Sequence, residues 1–142
     1  MNIEGYEFPD ELYYEKNHFW AKILDDGNVL FGATDYFQKM AGEVVYIELP
    51  SVGSKVEQSK SISSLESGKW VGRVFVPFSG EIIEVNKELD DSPELINDSC
   101  YEEGWIGKIK PSNIDAEIGN LFKTGPDFEK FIKEEIAKNA KK

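Results

Sequence analysis

The chain has 142 residues, with 27 acidic against 16 basic side chains and a formal net charge of −11. Such a balance repels a phosphate backbone and an anionic lipid surface alike, so nucleic acid and membrane are poor partners. Apolar residues make up 40% and aromatics 13%, enough to build a core in one domain spanning 1–142, and no apolar run approaches the roughly 20 residues of a membrane span.

The opening stretch MNIEGYEFPDELYY is too acidic for a secretion signal, and a cytoplasmic protein, monomeric, is expected. After it, short runs of β-branched and aromatic residues recur, bounded by Gly, Pro, Asn or Asp: HFWAKIL, NVLFGAT, EVVYIELP, KSISSLES, KWVGRVFVPF, GEIIEVN and GWIGKIK. This cadence predicts a mostly β domain with short helices. Between the second and third runs, TDYFQKMAG offers Thr34 as an N-cap and Gly42 as a stop, with Phe37, Met40 and Ala41 on one helical face. In DDSPELIN, Ser92 before Pro93 predicts a helix start, since proline is tolerated at the first helical position. GPDFEKFIKEEIAKNAKK spaces Phe128, Phe131, Ile132 and Ile136 at helical intervals after Pro126, which predicts an amphipathic helix over about 126–140 docked on the sheets. One internal echo stands out: PSVGSKVEQ and PFSGEIIEV each place a proline three residues ahead of a glycine, so Gly53 and Gly80 are expected at matching turns about an approximate two-fold axis near Lys69.

Catalytic constellations are scarce. The single cysteine, Cys100, excludes an internal disulfide, and with the single histidine, His18, no His/Cys cluster of metal-site spacing exists. No nucleophile motif accompanies His18, and the glycines show neither GxGxxG nor Walker spacing, so hydrolytic and nucleotide chemistry are not indicated. What remains is LESGKW, residues 65–70. Ser67 and Gly68 form a turn signal in which glycine supplies positive φ without cost, and Lys69 projects from that turn. Taken alone, such a lysine is usually a plain solvated charge. Its protonated amine is a poor spontaneous nucleophile, which makes enzymatic modification more credible than catalysis by the lysine itself.

Over residues 12–110 the motifs YYEKNHFW, GATDYFQKMAGEVVYIELPSVG, LESGKW, PFSGEIIEVNKELDDSPELIN and YEEGWIGKIK occur in an order that resembles the H protein of the glycine cleavage system. The resemblance implies a lipoyl-domain-like barrel-sandwich hybrid of antiparallel sheets, with its lipoyl-binding core over about 28–110 and the attachment lysine at a hairpin tip. The family segment reads ESVKA; Glu66, Ser67 and Lys69 match it, which implies that Lys69 carries lipoate in amide linkage, flanked here by Gly68 and Trp70. Recognition by a lipoate ligase or lipoyl transferase is implied to lean on Glu66 and on the turn glycines Gly53 and Gly80. The protein would then be a carrier without catalytic activity of its own, whose tethered dithiolane reaches successive partners at high effective concentration.

Two departures bear on what the arm carries. The family motif HEW becomes His18-Phe19-Trp20, and the acid four residues after the lysine becomes Arg73. His18, Phe19 and Arg73 are thereby expected to line an arm cleft that suits a protonated aminomethyl group badly. ESGKWVG is similar to lipoate-binding proteins of heterodisulfide-reductase-like sulfur oxidation, so a sulfur-carrying role with such a complex is the leading expectation. The alternative is the aminomethyl carrier itself, with glycine decarboxylase, aminomethyltransferase and dihydrolipoyl dehydrogenase as partners. A further alternative is an unlipoylated scaffold. A biotin carrier is disfavoured, because Gly68 and Trp70 flank the lysine where that family places methionines.

Overall fold

The computed structural model describes residues 1–140. In chain order the strands are β1 (Asn2–Ile3), β2 (Tyr6–Glu7), β3 (Tyr13–Glu15), β4 (Phe19–Ile23), β5 (Val29–Ala33), β6 (Val44–Ile47), β7 (Lys55–Val56), β8 (Ser61–Ser67), β9 (Val71–Phe75), β10 (Gly80–Val85) and β11 (Gly107–Pro111). The helices are α1 (Asp35–Ala41), α2 (Glu88–Asp91), α3 (Leu95–Asp98), α4 (Ile114–Glu117), continued by a 3₁₀ turn at Ile118–Asn120, and α5 (Pro126–Ala140). Strands β3-β4-β5-β11-β10-β7 form one sheet, β6-β8-β9 a second, and β1-β2 a small ribbon, with antiparallel pairing throughout.

Each of the seven apolar runs carries a strand, because alternation along them supplies one face to a shared interior. Phe31, Ile82 and Ile109 from the larger sheet meet Val44, Leu65 and Val74 from the smaller, with Phe37 of α1 between them. Strand β4 breaks the two-fold period: Phe19, Trp20 and Ala21 are all buried, because each enters a different cluster. Trp20 lies across Gly32 of β5, where an added Cβ would come within 2.9 Å of its ring, and its indole N–H donates to the Cys100 carbonyl at 2.8 Å.

Helix α1 has the caps its sequence predicts. The Thr34 hydroxyl accepts from Phe37 N at 3.2 Å, and Gly42, at φ +82°, donates its N–H back to the Gln38 carbonyl at 3.0 Å. Met40, expected on the inner face, is partly exposed; Tyr36 and Gln38 are buried instead. The helix start expected at Ser92 falls later. Ser92 terminates α2, and α3 begins at Leu95 with Glu94 ahead of it and no side-chain cap. Helix α5 docks through Phe128 and Ile132 onto Ile3, Phe8, Tyr14 and Trp20, with the Tyr14 and Phe128 rings stacked at 4.7 Å. Full burial of each such side chain contributes about 1.5–3 kcal/mol.

The internal echo is realised as strand pairing. Gly80 faces Val56 and Glu81 faces Lys55 across β7 and β10, while Gly53 N donates to the Ile82 carbonyl at 2.7 Å and Ile82 N to the Ser54 carbonyl at 3.0 Å. Both glycines have positive φ. Neither lies beside Lys69: Gly80 follows the base of the β8-β9 hairpin, a strand length of roughly 20 Å from its tip.

Candidate functional site

Strands β8 and β9 pair from Ser61 opposite Phe75 to Glu66 opposite Val71, and the chain reverses over Ser67–Trp70. Ser67 N donates to the Trp70 carbonyl at 2.8 Å, and the Ser67 hydroxyl accepts from Lys69 N at 3.3 Å. Buried Ser67 thus pins the turn from within, and Gly68, Lys69 and Trp70 stand outside it, all exposed. Gly68 does not adopt positive φ, contrary to its sequence reading, and a Cβ there would meet nothing within 4 Å. The turn closes through Ser67, so glycine is not required for it. Among the described residues the Lys69 amine makes no ion pair and no hydrogen bond, so it is open to an acylating enzyme. Glu66 is exposed on the outer face of the small sheet, in register between Tyr46 and Val71, which are themselves exposed apolar side chains.

Trp70 leans inward. Its ring lies over Gly72, where an added Cβ would fall inside it, and meets Phe37 edge-on at 5.6 Å. Phe37 in turn packs on Phe19 at 4.9 Å. A row of three rings therefore links the hairpin tip to α1 and β4.

The expected cleft of His18, Phe19 and Arg73 does not form. Phe19 is fully buried at the inner end of that row. Arg73 alternates with buried Gly72 and Val74, so it points to solvent, and its Nε donates to Ser61 Oγ at 2.7 Å, towards the base of the hairpin. His18 turns to the C-terminal helix. Held at φ +76°, its ring packs against Tyr36 and Phe131, and Nε2 lies 2.9 Å from Glu135 Oε1. Burial lowers its pKa, outweighing the Glu135 contact that works the other way. Cys100 is likewise inert: burial pushes its thiol up to about 12.

Sequence reasoning missed Asn97. Its side chain accepts from Val44 N at 2.8 Å and donates to the Gly42 carbonyl at 2.8 Å and to Gln38 Oε1 at 3.1 Å, joining α3, the end of α1 and the start of β6 beneath the hairpin. Its partners lie more than 50 residues away in the chain, and only its place in the PELIN motif marked it.

A sandwich of antiparallel sheets that leaves one unpaired amine exposed at a hairpin tip defines a protein built to present a lysine. Comparisons with known proteins agree. The model of the family described as glycine cleavage H-protein matches residues 12–135. A probable glycine cleavage system H protein of Thermococcus gammatolerans is 53% identical over 121 residues, covering 85% of this chain and 90% of that one. Glycine cleavage system H protein 2 of Aquifex aeolicus is 41% identical over 133 residues, covering 93% and 82%. The crystal structure of a glycine cleavage system H protein from Mycobacterium marinum superposes with a TM-score of 0.75 at 29% identity, covering 94% of this chain and 99% of that one. The chain belongs to the glycine cleavage H-protein family, whose members carry lipoate covalently on a lysine and have no catalytic activity of their own. Among the described residues, no helix is long and apolar enough to cross a membrane.

Proposed function

We propose that the protein is the aminomethyl carrier of a glycine cleavage system, with Lys69 as its lipoate attachment point. The observation that carries this reading is the unpaired Lys69 amine at the exposed tip of a turn closed by Ser67. The residues present fit the group: acylation of Lys69 buries nothing, breaks no ion pair and removes one charge from a solvated position. When bound, lipoate supplies a dithiolane that opens to two thiols, one of which holds the carried group. The chain's own contribution is presentation. Ser67 fixes the turn, strands β8 and β9 carry it, and exposed Glu66 between Tyr46 and Val71 offers a mixed acidic and apolar surface to a lipoate ligase. Glycine decarboxylase, aminomethyltransferase and dihydrolipoyl dehydrogenase are the partners that share the arm, and the net charge of −11 suits basic docking patches on them.

The sulfur-oxidation expectation finds no support. The relatives are glycine cleavage H proteins, and the two substitutions that suggested a different cargo lie outside any shared cleft, one inside the core and one directed to the hairpin base. Co-expression with a lipoate ligase followed by intact mass measurement tests the attachment. Incubation of the lipoylated protein with glycine and glycine decarboxylase then tests the cargo. A lipoyl-sized mass increase lost in Lys69→Arg, and an aminomethyl increase with glycine, are expected. Lipoylation without any loading by glycine would refute the aminomethyl assignment.

A further inference from the structure

Two glycines make room for the hairpin tip to lean on α1. A Cβ built on Gly42 would sit 3.0 Å from Lys69 Cε and 3.6 Å from Nζ, so the outer half of the lysyl stem rests on bare backbone at the end of the helix. A Cβ built on Gly72 would fall inside the Trp70 ring, and that ring meets Phe37, further back along α1, edge-on at 5.6 Å. Phe37 is a fixed seat, buried and packed on Phe19. The tip thus has two footings on one helix, the lysyl stem on Gly42 and the indole on Phe37. Closure of the turn does not require the second. Ser67 N donates to the Trp70 backbone carbonyl and the Ser67 hydroxyl accepts from Lys69 N, whatever side chain stands at 70. Core formation does not require it either, since Trp70 stays 42% exposed.

We propose that Trp70 is a positioning residue for the acylation of Lys69: seated on Phe37, it holds the tip against α1 and fixes the direction in which the lysyl stem is offered to the attaching enzyme. The role rests on the reading of Lys69 as the lipoate attachment point. The step served is an acyl transfer. A lipoate ligase makes an acyl adenylate from lipoate and ATP, and the unprotonated Lys69 Nζ attacks its carbonyl carbon. The C–N bond forms as the bond to the phosphate oxygen breaks, AMP leaves with that electron pair, and Nζ gives up one proton. Attack needs the nitrogen about 3–3.5 Å from that carbon on one line of approach, and a long flexible lysyl stem has many conformers that miss it. Trp70 does not touch the reacting atoms; it limits where the stem starts. Because neighbouring residues share the footing, a tip released at Phe37 also lifts from Gly42. An edge-to-face ring pair favours one arrangement by about two- to twelvefold, which sets the size of the effect on transfer. Docking falls to other side chains: Glu66, Tyr46 and Val71 are exposed on the outer face of the small sheet, while the indole leans inward.

The test uses the full-length unmodified protein and a lipoate ligase preloaded with lipoyl adenylate, in single turnovers followed by intact mass. The maximum transfer rate and the protein concentration that gives half of it separate positioning from docking. Trp70→Ala is expected to lower the maximum rate about two- to twelvefold and to leave the half-saturating concentration unchanged. Trp70→Phe, which keeps a ring edge for Phe37, is expected to restore most of the rate. Trp70→Leu keeps apolar cover over Gly72 without a ring; it is expected to lose rate as the alanine variant does, and it decides the matter should that variant not fold. N-hydroxysuccinimidyl acetate, a small acylating reagent, is expected to label Lys69 equally in all four proteins, as read by peptide mapping, because the amine is exposed and unpaired among the described residues. Equal maximum rates in the parent and in the alanine and leucine variants, or a change confined to the half-saturating concentration, would overturn the positioning role. Small-reagent labelling that slows in step with enzymatic transfer would overturn it as well, since the cause would then be the reactivity of the amine and not its direction. A parent protein that labels normally but accepts no lipoate would instead refute the attachment reading, and Trp70 would have no acyl transfer to serve.

Discussion

Asn97→Ala is the perturbation that most directly tests how the platform under the hairpin is built. The side chain satisfies two backbone groups: the Val44 N–H at the start of β6 and the Gly42 carbonyl after α1. Val44 is fully buried, so its stranded N–H bears most of a desolvation penalty of about 1–3 kcal/mol, while water can reach the half-exposed Gly42 carbonyl and hold its cost to about 1 kcal/mol. The expected loss is about 2–4 kcal/mol, a fall of roughly 6–15 °C in thermal midpoint for a chain of this size. Asn97→Asp sharpens the test. It keeps the acceptor for Val44 but sets a carboxylate oxygen against the Gly42 carbonyl and Gln38 Oε1, where the amide had donated, so near neutral pH it is expected to lose at least as much. Urea unfolding followed by circular dichroism, with an unchanged m-value, gives the difference directly. An Asn97→Ala protein within about 0.5 kcal/mol of the parent would show that these contacts carry no net stability and that the reasoning fails.

Other expectations follow from equally local features. Lys69→Arg should abolish lipoylation and leave the thermal midpoint within the spread of surface substitutions, about 0.5 kcal/mol, because the side chain is exposed and unpaired; marked destabilisation would contradict the open-tip geometry. Gly80→Val places a Cβ against the Lys110 carbonyl across the β10-β11 pairing, and a loss of about 2 kcal/mol or more is expected; an unaltered midpoint would count against it. His18 titrates below its ordinary value in the folded protein because it is buried, so between the unfolded value of 6.5 and the lower folded one the unfolded chain binds more protons. Stability is therefore expected to fall as pH drops through that window. Glu15, whose carboxyl burial raises, acts with the opposite sign, gaining stability for the fold as pH falls towards its protonation. The informative curve is thus the difference between parent and His18→Gln, which should flatten the loss below pH 6.5; identical profiles would show that burial of His18 does not disfavour its protonation in the folded protein.

Sequence alone determined the features that depend on near neighbours. The seven strand runs, the Thr34 and Gly42 caps of α1 and the amphipathic α5 all follow from periodicity and local hydrogen bonding, which act within a few residues and leave a direct trace in composition. The exposure of Lys69 belongs to the same class, since a turn closed by Ser67 and Trp70 needs nothing distant. Tertiary structure alone decided which way the side chains at 18, 19, 70 and 73 point. In β4 three successive residues are buried because separate clusters cover both faces of the strand, so alternation could not reveal that Phe19 faces the interior. His18 finds Glu135 across 117 positions, Val44 finds Asn97 across 53, and Lys69 finds Gly42 through the packing of a hairpin on a helix. Such contacts are set by which surfaces the whole fold brings together, and no window of neighbouring residues contains them.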